Sequence, residues 1–585
     1  MKFLGNVIAT VIGIFVFIMI FFFGVILIGA IFGGEDKVSV KNDSVIELNL
    51  KQINNDYAGK YKDPWVTVFS DKKGIGLTDV INAIEAAKTD SNIKGISILN
   101  DESSLGLAQY KDLRNALESF KKSGKFVWAY ANTYSQKEYY LNSVANTVYL
   151  NPAGDLDFKG LSSEVMFFKD FQEKSGIHME VIRHGKYKSA VEPFLENKMS
   201  DANREQVTAL LNSIWTTVCS DISKSRNIPV AKLNEIANGL LARTPAMAKA
   251  ERLVDIVAYE DVYHNAIKKA LKVTGDDDYN KISILDYTQN NITTALTNTA
   301  DNQIAIIYAQ GEIIGGEGDV TVIGEGSMRR SLQEARKNED VKAIVLRIDS
   351  PGGSALTSDL IWREIEITKK VKPVVVSMGN YAASGGYYIA CNANKIFAES
   401  NTITGSIGVF GVLPNFTPLA TKLGINTEQV KTHENSANYS PFVPLDEKFK
   451  AFTLEGVEQI YKNFVTHVAE GRKMTFAQVD SIAQGRVWSG SEAVKIGLVD
   501  KIGGLNDAIA EAAKIAKIKD YSTQNYPEYE KTFSDLMANL PFAKSKEAFI
   551  KEEIGEENYL LIEQVKRFQR QKGVQAMMPF GINIK

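Results

Sequence analysis

Val374-Val375-Val376-Ser377-Met378-Gly379-Asn380-Tyr381-Ala382-Ala383-Ser384-Gly385-Gly386-Tyr387 reads as a strand that runs into a tight turn and then into a helix. The β-branched run that opens it, after Val371-Lys372-Pro373, has the composition of a buried strand. Small residues crowd the turn, and the apolar segment 387–391 continues as a helix. Ser384 therefore sits at a strand-to-helix junction with two glycines behind it. There a hydroxyl can face a cleft and a substrate backbone can come close. The pattern is not the Gly-x-Ser-x-Gly elbow, and alone this serine reads as a tight-packing residue, not a nucleophile.

Outward from this stretch the chain alternates. In the N-terminal part, strand-like runs at 45–50, 93–99, 125–130 and 147–150 alternate with helical patterns at 77–88, 110–122 and 136–144. That order predicts a mainly parallel sheet with right-handed crossovers. The second half repeats the first. Shifted by 248 positions, residues 84–194 align with the later chain without a gap. Identities include Lys94/Lys342, Asp101/Asp349, Asn132/Asn380, Tyr139/Tyr387, Tyr140/Tyr388, Gly160/Gly408, Gly176/Gly424 and Pro193/Pro441. One register held over such a length is a tandem duplication of one α/β unit. The expected division is an N-terminal repeat at 44–275, a polar linker at 276–301 and a C-terminal repeat at 302–520. Residues 521–585 form an extension with no counterpart in the first half. Within it, Tyr559-Leu560-Leu561 and Val565 mark one apolar face, which suits a docking arm and a solvated helix equally.

The duplication permits a comparison inside one sequence. Ser384 matches Gln136, Gly352-Gly353 match Ser104-Leu105, and Ser406 matches Phe158. The first half thus lacks both serines and the glycine pair. Conversely, Lys188, in Gly185-Lys186-Tyr187-Lys188-Ser189-Ala190-Val191-Glu192-Pro193-Phe194, matches Ser436, so the second half lacks that lysine. A divided active site leaves this pattern. A serine hydroxyl needs a base, and a lysine serves when burial keeps its amine neutral. Backbone N–H groups at Gly352 and Gly353 are candidates for an oxyanion hole, and Ser406 could hold the amine in line. Lys186 stands as near as Lys188 and leaves the base open between them.

Composition narrows the field. The 585 residues are 44% hydrophobic and 23% charged, as in folded domains, and the net charge of −3 gives no basis for a nucleic-acid partner. Two cysteines, Cys219 and Cys391, lack CxxC spacing, and five histidines are scattered, so no metal site is expected. No phosphate-binding GxxxxGK[ST] loop is present, and no cofactor is expected. Residues 3–34 carry no charge. The apolar run within them, at about 1.5 Å per residue, exceeds a hydrocarbon core of about 30 Å. Residues 7–33 are therefore expected to form one transmembrane helix, with residues 1–6 cytoplasmic. Lys2 precedes the anchor and Glu35-Asp36 follow it, which places the bulk of the chain outside the cytoplasmic membrane.

Taken together these motifs resemble the signal peptide peptidase A family in its long, duplicated bacterial form, protease IV. Tyr187-Lys188-Ser189-Ala190-Val191-Glu192-Pro193-Phe194 looks like the family's general-base segment, and Ala383-Ser384-Gly385-Gly386-Tyr387 looks like its nucleophile segment. Thr404-Gly405-Ser406-Ile407-Gly408 looks like the segment whose serine contacts the lysine. The closing Gly485-Arg486-Val487-Trp488-Ser489-Gly490 and Gly497-Leu498-Val499-Asp500 extend the likeness over nearly the whole chain. The resemblance implies a Clp protease/crotonase-like fold and a membrane-anchored homotetramer with its bulk on the periplasmic side. It also implies a Ser–Lys endopeptidase that degrades cleaved signal peptides and similar apolar peptides. A catalytically silent envelope scaffold and a crotonase-like acyl-CoA enzyme are the competing readings.

Overall fold

The computed structural model describes residues 38–51, 53–61, 75–100, 103–274, 277–295, 300–437, 439–529 and 575–578, with eleven further positions between 10 and 24. Most of the expected anchor at 7–33 and of the extension after 529, including the apolar face at 559–565, lies outside the described residues. Among the described residues no helix is long and apolar enough to cross a membrane.

Each half is built on a parallel sheet. In the first, the strands run in the order Ile256–Val257, Thr147–Leu150, Phe126–Ala131, Ile93–Leu99, Ser44–Leu48 and Lys281–Ser283, every neighbouring pair parallel. In the second, the strands Lys501–Ile502, Lys395–Ala398, Val374–Ala383, Val341–Ser350, Gln303–Gln310 and Ser522–Tyr526 follow in the same order and are all parallel, while the end of Val374–Ala383 also pairs with Ile403–Gly405, which carries Val487–Ser489 antiparallel on its other side. The 248-residue shift carries the strand starting at Phe126 onto that starting at Val374, and Thr147 onto Lys395. Helices cover the sheets, which is why the central strands read as continuous apolar runs and not as alternating ones.

Two edge strands fall where no strand was expected. Lys281–Ser283, followed by the helix Ile284–Ala295, belongs to the stretch read as a linker, and Ser522–Tyr526 to the extension read as having no counterpart. They occupy the same place in the two sheets, next to Ser44–Leu48 and Gln303–Gln310. Edge strands are short and half-polar, so Lys-Ile-Ser and Ser-Thr-Gln-Asn-Tyr give no periodic signal.

A third, mixed sheet joins the halves. Its order is Gly318–Asp319, Val322–Gly324, Glu312–Ile314, Gly352–Ser354, Gln575–Met577, Val409–Asn415 and His178–His184. The last pair is antiparallel, with His184 opposite Val409, so a strand of the first half is zipped to one of the second. The apolar cores also interpenetrate: Ala383, Ile403 and Val487 pack in the core of the first half, and Ile182 in that of the second.

The seam is fixed by charge as well. Arg347, on a central strand of the second sheet, is buried and pairs with Asp56 at 2.6 Å and Asp112 at 2.9 Å, both from the first half. Its remaining donors reach Ser377 Oγ at 2.9 Å and the Met378 carbonyl at 3.2 Å. Asn380 Oδ1 accepts from the backbone N–H groups of Ala108 (3.2 Å) and Gln109 (3.3 Å), at the start of the first-half helix Leu107–Lys121. Removing the cation leaves two buried carboxylates uncompensated. Arg347→Met is therefore expected to lower the unfolding free energy by about 3–5 kcal/mol. A urea-unfolding midpoint equal to that of the unsubstituted protein would show that the seam does not depend on this pairing.

Candidate active site

The strand Val374–Ala383 ends where the helix Gly385–Ala390 begins, and Ser384 is the single residue between them. Its φ of +54° and ψ of −113° lie outside the regions that non-glycine residues prefer. Two backbone bonds hold it there. Its N–H donates to the Gly405 carbonyl at 2.8 Å, and its carbonyl accepts from Tyr388 N–H at 2.8 Å. Glycine is required next to it, because a Cβ on Gly386 would lie 2.6 Å from the Ser350 carbonyl oxygen. Upstream, half-buried Asp349 accepts from Tyr381 N–H (2.9 Å) and Asn380 Nδ2 (3.1 Å). Burial, with the Asp56 carboxylate nearby, pushes the Asp349 pKa up to about 7.

The lysine arrives from the other half. Beyond the strand His178–His184 the chain turns at Gly185 and places Lys188 beside Ser384. Lys188 Nζ lies 2.9 Å from Ser384 Oγ, and it donates to Ser406 Oγ and to the Ser406 carbonyl, each at 3.1 Å. A relay of backbone bonds sets this geometry. Gly405 accepts from Ser384 N–H, Ser406 N–H donates to the Arg486 carbonyl (2.7 Å), Gly485 N–H donates to the Ile407 carbonyl (2.8 Å), and Tyr187 N–H donates to the Gln484 carbonyl (2.8 Å). Glycines sheathe the lysine stem. A Cβ on Gly485 would lie 2.6 Å from Lys188 Cβ, and one on Gly408 would lie 3.2 Å from Lys188 Cδ.

Lys188, Ser384 and Ser406 expose none of their surface. Among the described residues no acidic group pairs with the amine, and burial moves the Lys188 pKa well below the usual lysine range. An amine held neutral can take a proton, and the hydroxyl beside it is the one that can give it. Lys186, left open as the alternative base, is exposed and lies against the Tyr187 ring with its Nζ 5.2 Å from the centroid. His184, the histidine nearest Lys188 in sequence, packs its ring on Tyr461 at 4.1 Å. Gly352 and Gly353 form the strand Gly352–Ser354 beside the nucleophile turn, and the Gly352 N–H donates to Ser350 Oγ at 3.2 Å. Among the described residues no cluster of His, Cys, Asp and Glu could hold a metal ion.

The chain matches the model of peptidase family S49 twice, over residues 119–274 and 366–519. It is 35% identical over 522 residues to Protease 4 of Haemophilus influenzae, covering 84% of this chain and 83% of that protein. It is 37% identical over 474 residues to Protease 4 of Salmonella typhi, covering 79% and 75%. With the Serine protease SPPA, chloroplastic, of Arabidopsis thaliana the identity is 33% over 491 residues, covering 82% and 70%. The chain belongs to peptidase family S49. It is a serine endopeptidase, as the likeness to the signal peptide peptidase A family implies.

Within this S49 peptidase the first half fills the positions that match the candidate site differently. Gln136, at the place of Ser384, accepts from Lys159 N–H (2.9 Å) and Gly160 N–H (2.8 Å) and donates to the Gly160 carbonyl (2.8 Å). Its amide thus fills the space between turn and loop where, in the second half, Ser384 Oγ faces the Gly408 carbonyl at 3.5 Å. Phe158, at the place of Ser406, packs edge-on to Tyr139 and against Trp215. Ser436, at the place of Lys188, bonds only within its loop, to the His433 carbonyl at 2.8 Å. Sequence reasoning missed the collar of Gly485 and Gly408 around the lysine stem. Gly408 had a visible signal, its retention as Gly160 in a half that has no lysine.

Lowering a lysine's pKa by burial has a stability consequence. The folded pKa lies below the unfolded value of about 10.4, so folding releases a proton between the two values and stability rises with pH across that window. Lys188→Met keeps the stem and removes the amine. It is expected to be inactive yet more stable than the wild type at pH 7, with the margin narrowing toward pH 10. Urea unfolding of both proteins at several pH values checks this, and a margin independent of pH would contradict a neutral buried amine.

Proposed function

We propose that Ser384 and Lys188 form a Ser–Lys dyad in a membrane-anchored endopeptidase that degrades cleaved signal peptides and similar apolar peptides outside the cytoplasmic membrane. The observation that carries this reading is the 2.9 Å approach of an uncompensated, buried lysine amine to the hydroxyl of a strained serine. Ser384 Oγ attacks the peptide carbonyl while neutral Lys188 Nζ accepts its proton and then delivers it to the leaving amine. Water cleaves the resulting acyl-enzyme by the same route. Ser406 orients the amine, and the backbone around Gly352 and Gly353 faces the developing oxyanion.

The same reading makes each repeat a Clp protease/crotonase-like unit, with repeats at 44–275 and 302–520 supplying base and nucleophile, a single anchor at 7–33, and a homotetrameric assembly. The two parallel sheets with matching strand order support the unit, and the uncharged stretch at 3–34 supports the anchor. A crotonase-like acyl-CoA enzyme works through carboxylate acid–base chemistry, whereas the group beside Ser384 is an amine.

Ser384→Ala and Lys188→Ala are each expected to abolish hydrolysis of a peptide substrate, with the double variant little worse than either, since the pair acts as a unit. Lys186→Ala should retain activity and Ser406→Ala should lose only part of it. Because the base must be neutral, kcat/KM should rise with pH along one limb that reports loss of a single proton. His184→Asn should leave that limb in place. Measurement of kcat/KM against pH for these variants, with labelling of Ser384 by a fluorophosphonate, tests the assignment. A limb near pH 6.5 that vanishes on histidine replacement would assign the base to an imidazole instead.

A further inference from the structure

The loop 484–486 meets the candidate site at three backbone positions. The Gln484 carbonyl accepts from Tyr187 N–H at 2.8 Å, Gly485 N–H donates to the Ile407 carbonyl at 2.8 Å, and the Arg486 carbonyl accepts from Ser406 N–H at 2.7 Å. Tyr187 and Ile407 are the chain neighbours of Lys188 and Ser406. The loop also presses on the segment that carries the lysine. A Cβ on Gly185 would lie 2.7 Å from the Gln484 carbonyl oxygen, and one on Gly485 would lie 2.7 Å from the Lys188 backbone nitrogen. The two glycines, at φ +111° and +81°, let the loop and the lysine turn stack backbone on backbone.

This pose is unfavourable for Gln484 by itself. Its φ is +52°, a left-handed conformation that a non-glycine residue keeps only when its surroundings hold it. Its side chain supplies the hold by reaching back between two helices. Gln484 Nε2 donates to Asp480 Oδ1 at 2.7 Å and to the Tyr461 hydroxyl at 3.1 Å, and Gln484 N–H donates to the same hydroxyl at 3.4 Å. Tyr461, on the helix Glu447–Arg472, in turn donates to Asp480 Oδ1, on the helix Phe476–Ile482. The buried Tyr461 ring packs on His184, at the end of the strand that leads into Gly185. The first half separates the structural part of this arrangement from the rest. The helix Asp201–Arg226 matches Glu447–Arg472 at a shift of 246 positions, and at that shift Trp215 and Asn234 match Tyr461 and Asp480. Trp215 Nε1 donates to Asn234 Oδ1 at 2.8 Å, so both halves tie these helices together. Asn238, which matches Gln484, is exposed. The third side chain enters the tie in the half whose loop meets a lysine.

We infer, on the Ser–Lys reading, that Gln484 is a positioning residue for the dyad: Tyr461 and Asp480 hold its side chain, and its backbone keeps Lys188 aligned with Ser384 and closed to water. Released from the tie, Gln484 relaxes toward negative φ, its carbonyl leaves Tyr187 N–H, and Lys188 gains room to move and to hydrate. The titratable and charged groups that face this loop come from four elements. Tyr461 and Asp480 lie on the two helices, and His184 and Arg183 on the strand His178–His184, Arg183 donating to the Lys188 carbonyl at 3.5 Å. Arg486 pairs with Glu205 of the helix Asp201–Arg226 at 2.8 Å and covers the Tyr187 ring. Burial and the neighbouring Asp480 push the Tyr461 pKa up, so its hydroxyl keeps its proton wherever Lys188 titrates.

The test is kcat and KM against pH for the full chain as wild type, Gln484→Met, Gln484→Gly and Tyr461→Phe, with urea unfolding of each run in parallel. Gln484→Met keeps the length of the side chain and loses its amide. It is expected to lower kcat at pH 7 at least about tenfold with KM within about twofold. It should also move the single limb of kcat/KM to higher pH, because a hydrated amine holds its proton more tightly. Gln484→Gly removes the same bonds but adopts a positive φ freely, so it should keep more activity and shift the limb less. Tyr461→Phe should fall between the wild type and Gln484→Met, since Asp480 still accepts from Gln484. A purely structural role would lower the urea midpoint, leave the limb in its wild-type place and make Gln484→Gly no better than Gln484→Met. That result would overturn the inference, as would wild-type kinetics in Gln484→Met. If Gln484→Met does not fold, Tyr461→Phe decides: a limb at higher pH supports the role, and a limb in its wild-type place overturns it. A wild-type limb that His184→Asn removes would take away the dyad reading and the inference with it. A wild-type limb that persists in His184→Asn and stays unmoved in Gln484→Met and Tyr461→Phe would overturn the inference and leave the dyad standing.

Discussion

The structure turns on the desolvation of one amine. Lys188 comes from the first half, Ser384 and Ser406 from the second, and the space they share is closed to solvent only because the halves are docked. A buried ammonium without a counter-ion is strongly disfavoured, so burial moves Lys188 toward the neutral form, the form its proposed role as base requires. Dielectric exclusion does here what a carboxylate does for a catalytic histidine. It also means that the site has no independent existence in either repeat.

The seam is built to resist that. Arg347 with Asp56 and Asp112, Asn380 on the start of a first-half helix, and the zipped strands His178–His184 and Val409–Asn415 lock the halves by different physics. The second and third of these locks lie close in sequence to the residues of the candidate site. Asn380 precedes Ser384 by four residues, Val409 follows Ser406 by three, and His184 precedes Lys188 by four. Positioning and docking are therefore the same set of bonds. The backbone relay from Ser384 through Gly405, Arg486 and Ile407 to Tyr187 spans the seam within a few hydrogen bonds.

Much of this was legible in the chain. The repeat register predicted the paired strands, and the reciprocal losses at Ser384/Gln136 and Lys188/Ser436 pointed to the residues the structure brings together. The residues alone left Lys186 open beside Lys188, and it was the family resemblance that favoured Lys188. Only the turn at Gly185 sends one outward and the other inward. The edge strands at 281–283 and 522–526 were hidden by polar composition. Gln575–Met577 was hidden because a three-residue strand takes its identity from its neighbours' unpaired edges and not from its own pattern.

The duplicate site clarifies why the division persists. Once Gln136 had filled the first half's turn with bonds to Lys159 and Gly160, restoring a serine there would leave those two backbone donors without their partner. Once Phe158 had joined the ring cluster of Tyr139 and Trp215, a serine in its place would open a cavity in the core. On the other side, Ser436 lies in an exposed loop, where a lysine would be solvated and charged and of no use as a base. In the first half Gln136 and Phe158 thus serve local stability at the positions that match Ser384 and Ser406. The remaining parts can act only where the two halves meet, at the one place in the molecule where Ser384 and Lys188 share a dry space.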